Sequence, residues 1–190
     1  MSNLQHIYSQ KLSSGAILAV AEIPISTAPN PEPSTRQKRE RSAWHTLARE
    51  LLCDPTAQFS YNNVGAPQIE GSPLYIGVSH SATLVAVIIS PERTAIDIES
   101  QNRNFAVVAS RYISNEERKL SPDPESQKFQ SQIWSIKEVA YKYAGIKELN
   151  LLTDICVLEL TENSFKARIR DHHFSGRITT INDHTLAYVG

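Results

Sequence analysis

Residues 94–100 of this 190-residue chain read TAIDIES, so isoleucines and acids alternate along a short stretch. Successive side chains of a β-strand point to opposite faces, and a strand here puts Ile96 and Ile98 on one face. Asp97 and Glu99 then share the other face, roughly 6–7 Å apart. In a half-buried cleft two such charges repel each other by about 2–3 kcal/mol, so they need a cation. Magnesium prefers hard oxygen ligands and is often shared with substrate phosphates, which fits this pattern. A solvated acidic face on an edge strand is the alternative.

The composition is that of a globular protein without a strong global charge. Hydrophobic residues make up 41% and charged residues 21% of the chain, and the mean hydropathy is −0.31. The formal net charge of −1 gives no general attraction to nucleic acid or to an anionic membrane, so neither is expected as a partner. Cys53 and Cys156 have neither disulfide-framework nor metal-motif spacing, and the N-terminus lacks a signal-like pattern. These features predict a soluble, cytoplasmic protein in a reducing compartment.

The first half of the chain predicts the order strand, helix, strands. Residues 15–25 read as a strand and 26–35 as a proline-rich loop. A helix follows from Ser34, which has capping-box spacing with Gln37, and ends at Cys53. Further along come a turn-rich stretch over 62–73 and short strands over 74–81, 84–90 and 94–99. Because short turns join these three strands, we expect them to be antiparallel neighbours.

The second half predicts helices first and then strands. Residues 105–113 read as a helix, 115–120 as a further turn, and a long helix begins at the PDPE of 122–125 and stops at Gly145. About four strands follow, over 153–160, 164–171, 174–181 and 185–190. The fold class expected is therefore α+β. The element order suggests two similar halves, 1–92 and 93–190, although no sequence repeat is visible.

Both long helices carry an apolar face with helical spacing. In the first helix this face comprises Trp44, Leu47, Ala48, Leu51 and Leu52. In the second it comprises Ile133, Ile136, Val139, Ala140 and Tyr143.

The second helix also contains the segment WSIKEVAYK, residues 134–142. Glu138 and Lys142 are i,i+4 neighbours in it, and Lys137 lies about 100° around the helix from Glu138. An ordinary surface ion pair explains Glu138 and Lys142 taken alone. Trp134 and two tyrosines close to these charges are the argument against that interpretation.

Two further segments could bind an anion. In VSHS, residues 78–81, His80 lies between Ser79 and Ser81, which offers an imidazole and two hydroxyls to one oxyanion. A histidine with a structural role in a turn is the alternative. The basic run RQKRER, residues 36–41, could bind a phosphate or an acidic partner, although a solvated helix face is the default interpretation.

In their order and spacing, the segments SHS, AIDIE and WSIKEVAYK together resemble motifs of the 4'-phosphopantetheinyl transferase superfamily. The resemblance runs from about residue 36 to 145 and more loosely to the C-terminus, and the length resembles the single-chain, two-half type. It implies two similar α+β halves related by a pseudo-twofold axis, each with a small antiparallel sheet packed on a long helix. Coenzyme A is expected to bind between them, and the chain is expected to be a monomer.

The resemblance also implies residue roles. Asp97, Glu99 and Glu138 match acids that bind magnesium, which in turn binds the diphosphate of coenzyme A. Lys142 matches a lysine that contacts the same phosphates, and Ser79 with His80 matches a phosphate-binding turn. Glu117 aligns more loosely with a glutamate of a Phe-Ser-x-x-Glu-like segment.

The implied reaction is attack by a carrier-protein serine on the β-phosphate of coenzyme A, which gives the holo carrier and 3',5'-ADP. Asp97, Glu138 and Lys142 are the expected catalytic residues. Glu138, or a metal-bound water that it orients, is the candidate base. Magnesium and Lys142 supply positive charge. The carrier could serve fatty-acid, polyketide or peptide synthesis, and its acidity makes the basic run at 36–41 a candidate docking surface.

The chain departs from the family pattern at two cationic positions. Family members commonly have Gly-Lys-Pro where this chain has Gly65-Ala66-Pro67. An arginine is also usual on the first helix, where the best register places His45 and a shifted one offers Arg49. Neighbouring cations such as Arg39 could compensate. A non-catalytic module that binds coenzyme A is the second hypothesis, and a generic metal-dependent phosphohydrolase has little support.

Overall fold

A computed structural model describes residues 4–24 and 33–190, and of Pro33 and Ser34 it describes the backbone alone. Most of the predicted loop at 26–35 and the Ser34 side chain of the predicted capping box lie outside the described residues. The chain divides into two compact units. The N-terminal unit comprises Met1–Thr94 together with Gly190, and the C-terminal unit comprises Ala95–Val189.

The N-terminal unit is an antiparallel sheet packed on one long helix. Its six strands lie in the order β1-β2-β6-β5-β4-β3. The helix, α1, contributes Ala43, Trp44, Leu47 and Ala48 to a core shared with the sheet, which confirms the predicted apolar face. The elements are β1 (His6–Lys11), β2 (Ile17–Glu22), α1 (Pro33–Leu52), β3 (Phe59–Tyr61), β4 (Pro67–Ile69), β5 (Tyr75–His80) and β6 (Leu84–Ser90).

The C-terminal unit has a five-stranded antiparallel sheet in the order β7-β11-β10-β9-β8. Its long helix, α3, buries Ile133, Ile136 and Val139 against the sheet and ends at Gly145, whose left-handed φ of 61° suits glycine. The elements are β7 (Ala95–Ser100), a 3-10 turn (Ala109–Arg111), α2 (Asn115–Arg118), α3 (Gln127–Ala144), β8 (Ile155–Leu160), β9 (Ser164–Ile169), β10 (His172–Ile181) and β11 (His184–Val189).

Apart from β1 in the first unit and the 3-10 turn and α2 in the second, the described elements of the two units have the same order. In each, one strand precedes the long helix, four strands follow it, and the strand before the helix pairs with the last strand. The structure is therefore α+β with two antiparallel sheets, as the sequence predicted. None of the described helices is long and apolar enough to cross a membrane.

Several sequence predictions were wrong in detail. The strand over 94–99 is not a neighbour of β6, because β7 pairs with β11 in the other sheet. Residues 105–113 form successive i,i+3 turns and only a three-residue 3-10 segment, although their apolar spacing is helical. The long helix starts at Gln127 with Ser126 as its N-cap, so 122–125 precedes it. The strands β1, β3 and β4 were not predicted.

A buried ion pair attaches α3 to its surroundings. The Lys137 and Glu117 side chains are both fully buried, with 2.8 Å between Nζ and Oε1. The Lys137 ammonium also donates to the carbonyl oxygens of Leu151, at 2.7 Å, and Ile155, at 2.9 Å. Glu117 accepts hydrogen bonds from the backbone N–H groups of Ser114 and Val157, both at 2.8 Å. Burial lowers the pKa of Lys137, and the Glu117 carboxylate opposes that shift.

We expect Lys137→Met to destabilise the protein by about 3–5 kcal/mol, because it leaves the Glu117 carboxylate buried without its cation. The double variant Lys137→Met/Glu117→Gln is expected to lose less than the sum of the two single losses. Chemical denaturation of the four proteins measures this coupling. Lys119→Met, which removes an exposed pair with Glu116, is the control and should cost below about 1 kcal/mol. Additive losses at 117 and 137 would contradict the account.

Candidate acidic site on β7 and α3

Asp97 lies on the face of β7 that packs on α3. Ala95, two residues earlier on the same face, belongs to the core that includes Ile136 and Val139 of that helix. The Asp97 side chain is only 8% exposed, and its Oδ1 lies 2.8 Å from the ammonium of Lys142. The alternative of a solvated acidic face is therefore wrong for Asp97.

Lys142 connects α3 to β7. Besides its contact with Asp97, its ammonium donates a hydrogen bond to the carbonyl oxygen of Ile96 at 3.0 Å. Both partners belong to the strand. The interpretation of Lys142 as half of an ordinary i,i+4 surface pair with Glu138 is therefore wrong. A buried carboxylate is costly without a cation, and Lys142 supplies one.

Glu99 is held by a different cation. The guanidinium of Arg103 lies 2.5 Å from Glu99 Oε2, and the backbone N–H of Ser100 donates to Oε1 at 3.1 Å. Arg103 is itself supported by two aromatic rings, with its guanidinium carbon 4.8 Å from the Trp134 ring centre and 5.3 Å from that of Phe105. Trp134 therefore acts at this site through Arg103.

Glu138 is half-buried on α3, one turn before Lys142. Burial raises the pKa of its carboxyl group, and the charge of Asp97 raises it further, with a smaller contribution of the same sign from Glu99. Lys142 and Arg103 act in the opposite direction. The helix and the strand thus bring Glu138 close enough to Asp97 and Glu99 for their charges to raise its pKa.

The side chains of this site are chemically suited to bind a divalent cation. Asp97, Glu99 and Glu138 offer only carboxylate oxygens, the ligands that magnesium prefers, and Glu138 is disfavoured in its charged form without further positive charge. Within residues 4–24 and 33–190, no group of three or more histidine, cysteine or acidic side chains is already arranged as a metal centre. In the structure Lys142 and Arg103 balance two of the carboxylates instead.

In the N-terminal unit, His80 lies close to the basic run of α1. Its Nδ1 is 3.6 Å from Oε1 of Glu40, and the same oxygen accepts from Arg36 at 2.7 Å. Ser79, the preceding residue of β5, is buried, whereas His80 is exposed. The turn predicted to bind an anion and one end of the basic run therefore meet at a buried acid, Glu40, which sequence reasoning did not identify.

The other predicted cofactor contacts have local roles within the N-terminal unit. Arg39 donates to the carbonyl oxygen of Pro24 at 3.0 Å, and Arg49 donates to that of Ala57 at 3.0 Å. Burial, together with the charges of Arg49 and Arg41, lowers the pKa of His45 and so favours its neutral imidazole. His45 is accordingly a weaker source of positive charge than the arginine that the family usually has at this position.

Arg103 is the residue of this site that sequence reasoning missed. It follows Glu99 by four residues, but the intervening chain is a turn after β7, so no helical pairing rule applied to it.

The sequence around Glu117 did contain a local structural signal. Ser114 and Glu117 form a capping box, with the spacing that marks the start of α2.

In a comparison with protein-family models, the model of the 4'-phosphopantetheinyl transferase superfamily matches residues 93–189, which include both β7 and α3. No curated protein matches the chain.

The raised pKa of Glu138 makes a prediction about stability. A carboxyl group whose pKa is raised on folding contributes stability that is present in full below its unfolded value of 4.5 and is lost as the pH rises through the folded value. The neutral variant Glu138→Gln should therefore be more stable than the wild type at pH 7 without metal, and this difference should vanish below about pH 4.5.

Chemical denaturation across this pH range, without divalent ions, measures the difference. Glu162→Gln changes an exposed glutamate in the turn between β8 and β9 and serves as the matched control, for which we expect no such pH dependence. A Glu138→Gln variant that is less stable than the wild type at pH 7 would contradict the electrostatic description of the site.

Proposed function

The chain belongs to the 4'-phosphopantetheinyl transferase superfamily, and from that premise we propose that it transfers phosphopantetheine from coenzyme A to a serine of an apo carrier protein. The observation that carries the proposal is the contact between Lys142 of α3 and the buried Asp97 of β7, with Glu138 one turn away. This arrangement gathers acids and a cation where a diphosphate and its counter-ion can be bound.

The reaction is a displacement at phosphorus. The serine oxygen of the carrier forms a bond to the β-phosphorus of coenzyme A, and the bond from that phosphorus to the bridging oxygen breaks, which releases 3',5'-ADP. Glu138 is the proposed acceptor of the serine proton, because its carboxylate, unlike those of Asp97 and Glu99, makes no ion pair among the described residues. Lys142 is the proposed cation for the charge that develops on the phosphate oxygens.

Asp97, Glu99 and Glu138 are the proposed magnesium ligands. When bound, the ion would supply positive charge that neutralises the phosphate oxygens of coenzyme A. The protein's own contribution is positioning. Asp97 is fixed in a buried strand, Glu138 is carried by a helix that the Lys137–Glu117 pair anchors, and Lys142 spans from that helix to the strand.

Ser79, His80, Arg39 and His45 are the proposed additional contacts to coenzyme A. The exposed imidazole of His80 and the Ser79 hydroxyl can donate to phosphate oxygens. His45, whose pKa is lowered by burial and by nearby arginines, is proposed as a hydrogen-bonding contact. The negative charge of the 3'-phosphate would then be balanced by arginines of the basic run.

The proposed macromolecular partner is an acyl or peptidyl carrier protein. Lys38 and Arg41 of α1 are exposed and are the proposed contacts for an acidic carrier, because Arg36 and Arg39 already have acceptors within the N-terminal unit. We further propose that the protein acts as a cytoplasmic monomer.

A non-catalytic module that binds coenzyme A is the second candidate. Ala66 motivates it, because it stands where family members commonly have a lysine, and its backbone N–H donates to the Asn62 side chain in the hairpin turn between β3 and β4. The acids of β7 and α3 argue against it, since a binding module has no need of a poised base.

Incubation with coenzyme A, magnesium and a panel of apo carrier proteins tests the proposal directly. We expect a mass gain of one phosphopantetheine on at least one carrier. We expect Glu138→Gln to lower the rate by about a hundredfold to ten-thousandfold, because it removes the proton acceptor. Lys142→Met is expected to lower it by about a hundredfold or more.

The Glu162→Gln variant controls for general effects of the amide substitution and should keep wild-type activity. Because Glu138→Gln is expected to be at least as stable as the wild type, a loss of its activity cannot be attributed to unfolding. Tight binding of coenzyme A by calorimetry, with no carrier ever modified, would contradict the transferase and support the binding module.

A further inference from the structure

Arg103 is a charged residue of the acidic site that none of the three motifs contains. It lies in the turn that follows β7 and contacts Glu99 with its guanidinium group. The Glu99 side chain is 18% exposed, so this ion pair is partly shielded from water. A cation in this position occupies the oxygen that a divalent ion would need from Glu99.

The guanidinium is held in place independently of Glu99. Its carbon lies over the rings of both Trp134 and Phe105, at 4.8 and 5.3 Å from their centres. Cation–π contacts with these two rings therefore help to hold the Arg103 guanidinium whether or not Glu99 contacts it. Among the described residues, the polar contacts of the Glu99 carboxylate are the ion pair with Arg103 and the hydrogen bond from the Ser100 backbone, so Glu99 is the partner that can turn away.

The three acids therefore differ in their counter-ions. Asp97 is paired with Lys142, Glu99 is paired with Arg103, and Glu138 makes no ion pair with any side chain in the described part of the chain. Among these cations, Lys142 is the one for which the proposed reaction already has a use. Arg103 has no role in it.

We propose that Arg103 is a resident counter-cation that competes with the divalent ion for Glu99 and thereby sets the metal affinity of the acidic site. The inference rests on the proposed function, because it takes Asp97, Glu99 and Glu138 as the metal ligands. In the metal-free protein Arg103 balances the charge of Glu99. Metal binding requires the Glu99–Arg103 contact to break, so part of the binding free energy is spent on that exchange.

Calorimetric titration of Mn²⁺ into the metal-free protein, without coenzyme A, tests the inference without an activity assay. We expect Arg103→Met to bind the ion about three- to tenfold more tightly than the wild type, because the competing ion pair is gone. Arg103→Lys keeps the charge but loses the planar stacking, so we expect a smaller increase in affinity. It also provides the test if Arg103→Met does not fold.

Two controls separate competition at Glu99 from a general effect of charge. Arg111→Met removes an exposed positive charge from the 3-10 turn and should leave the affinity within about twofold of the wild type. In a Glu99→Gln background, the further change Arg103→Met should have much less effect than in the wild type, because the pair is already broken.

Three outcomes overturn the inference. If the wild type binds Mn²⁺ and Arg103→Met binds it equally well or more weakly, Arg103 does not compete and the proposed function is unaffected. The same holds if Arg103→Met increases affinity equally in the Glu99→Gln background. If neither the wild type nor Arg103→Met binds Mn²⁺, the metal site of the proposed function fails as well.

Discussion

The ion pair between Lys142 and Asp97 is the interaction on which the acidic site depends. It joins a helix to a strand at a place where an unpaired buried carboxylate would cost several kcal/mol. Because Glu138 precedes Lys142 by one turn, the same contact brings a third carboxyl group close to those of β7. Burial and the repulsion from the other acids together raise the pKa of Glu138, and Lys142 and Arg103 only partly offset that shift.

The two units share a topology, but equivalent positions of their first helix-packed strands carry different side chains. In the N-terminal unit, β2 holds the place that β7 holds in the C-terminal unit, paired with the last strand and packed on the long helix. The pairing registers place Ala19 and Ala21 of β2 where β7 has Asp97 and Glu99. Alanines there pack against α1, so that position adds to the core of one unit and carries charge in the other.

The sequence predicted the elements whose signals are local. The strand over 84–90 was placed at the residues where β6 lies, and the end of α3 at Gly145 followed from its glycine C-cap. The alternation of isoleucines and acids placed Asp97 and Glu99 on one face of a strand, as the structure has them. These signals depend on side-chain period and turn chemistry, which neighbouring residues determine.

The features that were missed depend on contacts between distant segments. The pairing of β7 with β11 joins residues far apart in sequence, so the short turn before β7 wrongly suggested β6 as its neighbour. The helical spacing at 105–113 arises because successive tight turns also bury every third or fourth side chain, including Phe105 and Tyr112. The role of Arg103 could not be predicted, because its aromatic support comes partly from α3.

Crystallography of the protein with coenzyme A and Mn²⁺ tests whether these acids bind a metal ion, because anomalous scattering locates the ion. We expect one ion bound by carboxylate oxygens of both Asp97 and Glu138, with the diphosphate completing its coordination and the Lys142 ammonium against a phosphate oxygen. An ion bound elsewhere, with Lys142 still on Asp97 and Glu138 facing solvent, would contradict that expectation.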